Sequence, residues 1–177
     1  MTTRLYLIRH GETALSAADC FSGASEAELS AEGRRQANCL AQRLAALPIV
    51  AFYCSPLGRA RATATIVAAP HALTPAVVPD LRELDYGQWE MLPREEVLAR
   101  FAAEYVAWGA DALAGAPPGG ETGLAVLARV LPALRVIVRA HVGQHMAVVA
   151  HKAVNRLAIC GLLGIDPRSY RDRLDQS

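Results

Sequence analysis

Histidine and arginine recur where apolar runs stop. Residues 4–8 (RLYLI) are rich in strand formers and end on Arg9-His10-Gly11. Residues 49–54 stop at Ser55-Pro56, with Arg59 close behind, and residues 146–150 stop at His151 and Lys152. Each run has the profile of a buried strand that ends in a loop. In open α/β sheets, ligands bind beyond the carboxyl ends of the strands. If the three strands are parallel, two imidazoles and two guanidinium groups meet at one edge. That set suits a dianion better than a cation, because a guanidinium presents a planar fork of donors that matches phosphate oxygens. Either histidine alone would read as structural; convergence is what raises the chemical reading.

The rest of the chain supplies elements to position these groups. A helix is expected from near Ser30, an N-cap with Glu32 in the first turn, through Leu40, Leu44 and Leu47 to the stop at Pro48. Residues 59–69 read as a second helix and 76–78 as a short strand. Residues 83–90 read as irregular, and Pro93 begins a helix to about Trp108. Residues 109–120, rich in Gly, Ala and Pro, form a surface loop. Helices follow over 124–138, with Pro132 a potential kink, and over 153–163. Strands alternating with helices predict an α/β fold: a three-layer α/β/α sandwich around a mostly parallel sheet. One domain over residues 1–177 accommodates all of this.

The formal net charge is +1, so no long-range field draws nucleic acid or acidic membranes, and any anion site must come from local clustering. Cys20, Cys39, Cys54 and Cys160 have neither zinc-site nor disulfide spacing. His141 and His145 lie four apart, but Gly143 intervenes and no further ligand is near; they read as surface residues. Neither metal nor cofactor is expected. There is no signal-peptide pattern and no apolar stretch long enough to span a bilayer, which predicts a cytoplasmic protein.

Several ordered blocks carry more than spacing. Leu7-Ile8-Arg9-His10-Gly11-Glu12-Thr13 is followed by Leu29-Ser30, Gly33 and Gln36-Ala37. Then come Ser55-Pro56-Leu57-Gly58-Arg59-Ala60, Leu81-Arg82-Glu83 with Gly87, Trp89 and Glu90, Pro118-Gly119-Gly120-Glu121, and Val149-Ala150-His151. These resemble the histidine phosphatase superfamily, the phosphoglycerate mutase-like fold family, in family order over nearly the whole chain. The resemblance implies a metal-independent phosphomonoester hydrolase. His10 would attack phosphorus and carry a phosphohistidine. Arg9, Arg59 and a protonated His151 would bind the phosphate, supplying charge that a metal ion supplies elsewhere. Glu83 would protonate the leaving group and then activate water; Glu90, Asp80 and Asp85 compete for that role on residue type alone.

Departures from the family pattern are local. Leu15-Ser16 stands where many relatives carry Trp-Asn, leaving Ser16 a shorter donor. Cys20 stands for an arginine, Ser25 for an aspartate and Lys152 for a glycine. Ser22 and Gly23 fit the substrate-facing turn, and Lys152 adds charge near the substrate or points to solvent. The chain stops at Ser177, where relatives usually continue into another strand, so the family's final strand is expected to be missing. Short pieces resemble the α-ribazole phosphatases of cobalamin assembly: Phe21-Ser22-Gly23, Gly87-Gln88-Trp89-Glu90-Met91, Tyr105 with Ala107-Trp108, and Arg173-Leu174-Asp175-Gln176. The implied partner is a small-molecule phosphate ester. Two alternatives stay open: a cofactor-dependent phosphoglycerate mutase, and a non-catalytic phosphate-binding module. A protein phosphohistidine phosphatase is disfavoured by the presence of Glu83.

Overall fold

The computed structural model describes residues 2–111 and 113–171. The Arg173–Gln176 piece lies outside them. Four parallel strands form the sheet: β1 (Arg4–Arg9), β2 (Ile49–Cys54), β3 (Ala76–Val77) and β4 (His145–Ala150), in the order β1-β4-β2-β3. Buried on both faces, β4 is an unbroken apolar run from Met146 to Ala150, as a central parallel strand should be.

Helices cover both faces. On one side, α2 (Ala31–Leu44) and α3 (Gly58–Ala68) close a core containing Ile8, Leu44, Phe52, Val67 and Val149. Opposite them, α6 (Gly123–Ala140) and α7 (Lys152–Leu163) cover Leu134, Met146, Val148 and Leu157. Caps set their starts: Ser30 accepts from the Gly33 N–H at 3.0 Å and Thr122 from that of Ala125 at 3.1 Å. Pro132 sits within α6, which continues to Ala140.

The helix expected from Pro93 to Trp108 is two. After the four-residue α1 (Ala14–Ala17) in the first loop, α4 (Arg94–Arg100) and α5 (Ala102–Ala110) meet at Phe101, which leaves helical geometry at φ −131° and ψ 38°. The break lets both segments wrap an aromatic cluster of Phe21, Trp89 and Trp108, with Phe101 and Tyr105 packed against it. Trp89 is fully buried there and meets Trp108 edge to face at 5.3 Å. Packing decided this break, since nothing in the local sequence forbids a continuous helix.

Candidate active site

Strand register places the site. Arg9 pairs with Ala150 and Cys54 with Val149, so the carboxyl ends of β1, β4 and β2 finish level. The ladder runs one residue further: the His10 N–H donates to Ala150 O at 3.1 Å and the Ser55 N–H to Val149 O at 3.0 Å. His10, Ser55 and His151 thereby stand side by side. The two histidine rings lie 5.1 Å apart, edge to face, and His151 Nε2 is 2.7 Å from Ser55 Oγ.

The loop after β1 is pressed against the start of α2. A methyl group on Gly11 would overlap the Gly33 carbonyl, and one on Gly33 would overlap that of Glu12. Only two bare Cα atoms allow this approach. Glu12 Oε1 accepts from the Ser30 hydroxyl at 2.7 Å, and the Gly11 N–H donates to Thr63 Oγ1 at 3.1 Å.

His10 Nδ1 is 2.7 Å from Gly11 O. A carbonyl only accepts, so Nδ1 carries the proton and Nε2 keeps its lone pair. Burial lowers the pKa of this ring to about 3, helped by the charges of Arg59 and Arg9 and opposed by the Gly11 hydrogen bond. His10 is therefore neutral at any ordinary pH. His151 is fully buried, and burial, then His10 and the nearby arginines, hold its pKa well below the usual histidine range. In the ligand-free cleft, desolvation beside these cations favours a neutral His151 ring. Its Nδ1 is buried with no hydrogen-bond partner among the described residues.

Glu83 is 5% exposed and sits against the first turn of α7. Its Oε1 accepts from the N–H groups of Leu84 at 2.9 Å and Val154 at 3.2 Å, and Oε2 from that of Ala153 at 3.1 Å. Burial raises its pKa, outweighing those bonds and the Arg59 charge, all of which lower it.

A cleft of about 600 Å³ joins these groups. Arg9, His10, Ser16, Ser22, Arg59, Glu83 and Lys152 all line it; His151 is not among the lining residues, though its ring meets that of His10. Gly23 faces elsewhere: its N–H donates to the Glu90 carboxylate at 3.0 Å. Glu90 also accepts from the N–H groups of Ala24, Ser25 and Tyr86 and from the Ser25 hydroxyl, so this candidate acid is a structural hub. Arg59, 1% exposed, closes the same loop by donating to the carbonyls of Ser25, Gly23 and Ser22 at 2.7, 2.8 and 3.2 Å. The Ser16 hydroxyl is engaged with Thr13 in a capping box that starts α1. Lys152 begins α7, and burial followed by the charges of Arg156, Arg9 and Arg94 lowers its pKa.

The sequence did not show that its aromatic residues gather around one outer cleft. Tyr86, Tyr105, Trp108 and Phe21 line it with Arg94 and Arg171. Arg94 grips Asp19 through two nitrogens, at 2.7 and 3.2 Å, and donates to the Tyr105 hydroxyl at 2.9 Å. Arg171 stacks on Trp108, 3.2 Å from the ring centre. Two signals were available: Phe21, Tyr105 and Trp108 belong to the pieces that resemble the α-ribazole phosphatases, and Tyr105 and Trp108 stand three apart, on one face of a helix. His141 and His145, by contrast, serve β-strand tyrosines: His141 Nε2 lies 2.8 Å from the Tyr53 hydroxyl and His145 Nδ1 3.2 Å from that of Tyr6. Among the described residues no three His, Cys, Asp or Glu side chains cluster as a metal site, and no helix is long and apolar enough to cross a membrane.

The family model for the histidine phosphatase superfamily (branch 1) matches residues 5–176. The chain belongs to that superfamily. It is 34% identical to the adenosylcobalamin/α-ribazole phosphatase of Escherichia coli, over 98% of this chain and 86% of the relative. It is 31% identical to phosphoserine phosphatase 1 of Hydrogenobacter thermophilus, over 92% and 77%. The crystal structure of the α-ribazole phosphatase from Shigella flexneri superimposes with a TM-score of 0.87 at 33% identity, covering 98% of this chain and 86% of that one. The protein is a histidine-type phosphatase acting on a small phosphate ester, a reading these relatives favour over a mutase or a binding module.

Proposed function

We propose that this histidine phosphatase hydrolyses α-ribazole 5′-phosphate in the cytoplasm through a phosphohistidine on His10. The observation that carries the mechanism is the tautomer of His10: Nδ1–H is tied to Gly11 O, and the ring is neutral, so Nε2 is a nucleophile without prior deprotonation. In the first step an Nε2–P bond forms and the P–O ester bond breaks. Glu83 passes its proton to the departing 5′-oxygen, an alkoxide too poor a leaving group to go unprotonated. Of its two oxygens Oε2 accepts fewer backbone bonds, so the proton sits there. Arg9, Arg59 and the Nδ1–H of His151, with the Ser22 hydroxyl, bear on the phosphoryl oxygens. The negative charge of an entering dianion opposes the desolvation that keeps His151 neutral and favours its protonated form. In the second step water attacks phosphorus, its proton goes to Glu83, and the N–P bond breaks.

Two features support the leaving group. The E. coli relative is named for α-ribazole, and the aromatic wall of Tyr86, Tyr105 and Trp108 suits a flat heteroaromatic base. The test is phosphate release with EDTA present, comparing wild type with His10→Ala on α-ribazole 5′-phosphate, phosphoserine, 3-phosphoglycerate and p-nitrophenyl phosphate. We expect kcat/KM on α-ribazole 5′-phosphate at least tenfold above the other natural esters, and no turnover by the variant. Preference for phosphoserine would overturn the substrate, and full activity in His10→Ala would overturn the mechanism.

A further inference from the structure

A second buried guanidinium lies outside the cleft, and its bonding is complete. Arg129 of α6 donates Nε to Glu121 Oε1 at 2.9 Å and one terminal nitrogen to Glu121 Oε2 at 2.8 Å. Its remaining hydrogens go to main-chain oxygens: those of Asp80 at 2.6 Å, Arg82 at 2.7 Å and Glu83 at 3.1 Å. All five N–H groups of the guanidinium are thereby used. The side chains of Arg129 and Glu121 are 10% and 12% exposed. Burial would push Glu121 up, but Arg129, aided by Arg82, outweighs it and holds the carboxylate below its ordinary range. Glu121 is itself anchored, its N–H donating to Asp85 O at 2.8 Å.

The carbonyls that Arg129 gathers belong to the turn leading into Glu83. That turn has no strand or helix of its own beyond the single 3₁₀ turn Pro79–Leu81. Glu83 is thus held from both ends: its carboxyl by the N–H groups of Leu84 and of the α7 first turn, its peptide by Arg129. Arg129 contacts Glu83 at its main-chain oxygen, so its hold on that residue runs through the backbone.

We infer that Arg129, clamped by Glu121, is the positioning residue that sets where the Glu83 proton is delivered. The inference rests on the reading of Glu83 as the acid. A proton donor displaced by an ångström loses most of its value. The loss falls on esters whose leaving group needs a proton and spares those whose leaving group does not. A merely structural role would lower both alike.

The experiment measures kcat/KM, which reports formation of the phosphoenzyme, on benzyl phosphate and p-nitrophenyl phosphate. These are similar in shape, but only the first releases an alkoxide. Wild type, Glu83→Gln, Arg129→Lys and the double variant Arg129→Met/Glu121→Met are compared. The double variant leaves no buried charge unpaired, which favours folding. Leu134→Ala, a core truncation in the same helix, controls for general destabilisation. We expect Glu83→Gln and both Arg129 variants to lower the benzyl rate by at least about tenfold more than the p-nitrophenyl rate, with Leu134→Ala affecting both equally. If Glu83→Gln is selective and the Arg129 variants are not, the inference falls and the acid assignment survives. If Glu83→Gln itself shows no selectivity, both fall.

Discussion

A neutral nucleophile held by burial must make the fold sensitive to acid. His10 titrates near 3 in the folded protein against 6.5 for an ordinary histidine. Its folded pKa is depressed, so below 6.5 the unfolded chain binds a proton that the native state refuses. Stability falls as pH drops from about 6.5 toward 3 and then levels. Each pKa unit corresponds to about 1.4 kcal/mol, so moving from pH 7 to pH 4 costs about 3 kcal/mol through this one ring. That is a large part of the roughly 5–15 kcal/mol that stabilises a domain of this size. His151 adds to the loss in the same direction. The perturbation is therefore pH, with His10→Gln as the reference that lacks the group. Urea unfolding at pH 7 and pH 4, at constant ionic strength, gives the two stabilities for each protein. The wild-type drop should exceed the variant's by about 3 kcal/mol. Nitrogen-15 chemical shifts of the wild type should show His10 protonated at Nδ1 and unprotonated at Nε2 throughout that range. Equal drops in both proteins, or a His10 that titrates near 6.5, would refute the account of its neutrality.

Two further perturbations probe how the loops are held. Gly33→Ala should cut kcat on p-nitrophenyl phosphate more than tenfold, because the new methyl overlaps backbone of the His10-Gly11-Glu12 turn, which has no flexible side chain to yield. Activity within twofold of wild type would show that this approach does not place His10. Glu90→Gln should cost about 1–3 kcal/mol in urea unfolding, since the amide oxygen can keep the N–H groups of Gly23 and Ala24 but the amide nitrogen cannot accept from that of Ser25. KM should rise as that loop loosens, while a variant with wild-type stability and KM would remove Glu90 as its hub.

Much of the site was legible because strand ends are local. Arg9-His10, Ser55 and His151 follow apolar runs directly, and parallel register then has one solution for where they point. The helix start at Ser30 was equally local, a side-chain oxygen meeting an N–H three residues on. Legibility failed where a residue's role depended on distant partners. Glu90 was a candidate acid by type, yet it gathers N–H groups from residues 23–25, more than sixty positions away. Ser16 was a candidate donor, and its hydroxyl is engaged by its own helix cap. The break at Phe101 follows from wrapping an aromatic cluster assembled from several segments.

By itself, then, the order of residue types determined the alternation of strands and helices, the arginine–histidine edge and the kind of anion it suits. These follow from periodicity and chain direction, which neighbours in sequence control. Protonation was decided only in three dimensions. His10 and His151 share a side-chain chemistry with His141 and His145, yet burial beside arginines neutralises the first pair, and the second pair bonds strand tyrosines. Desolvation and the placement of charges depend on everything packed around a group, and no stretch of sequence contains that information.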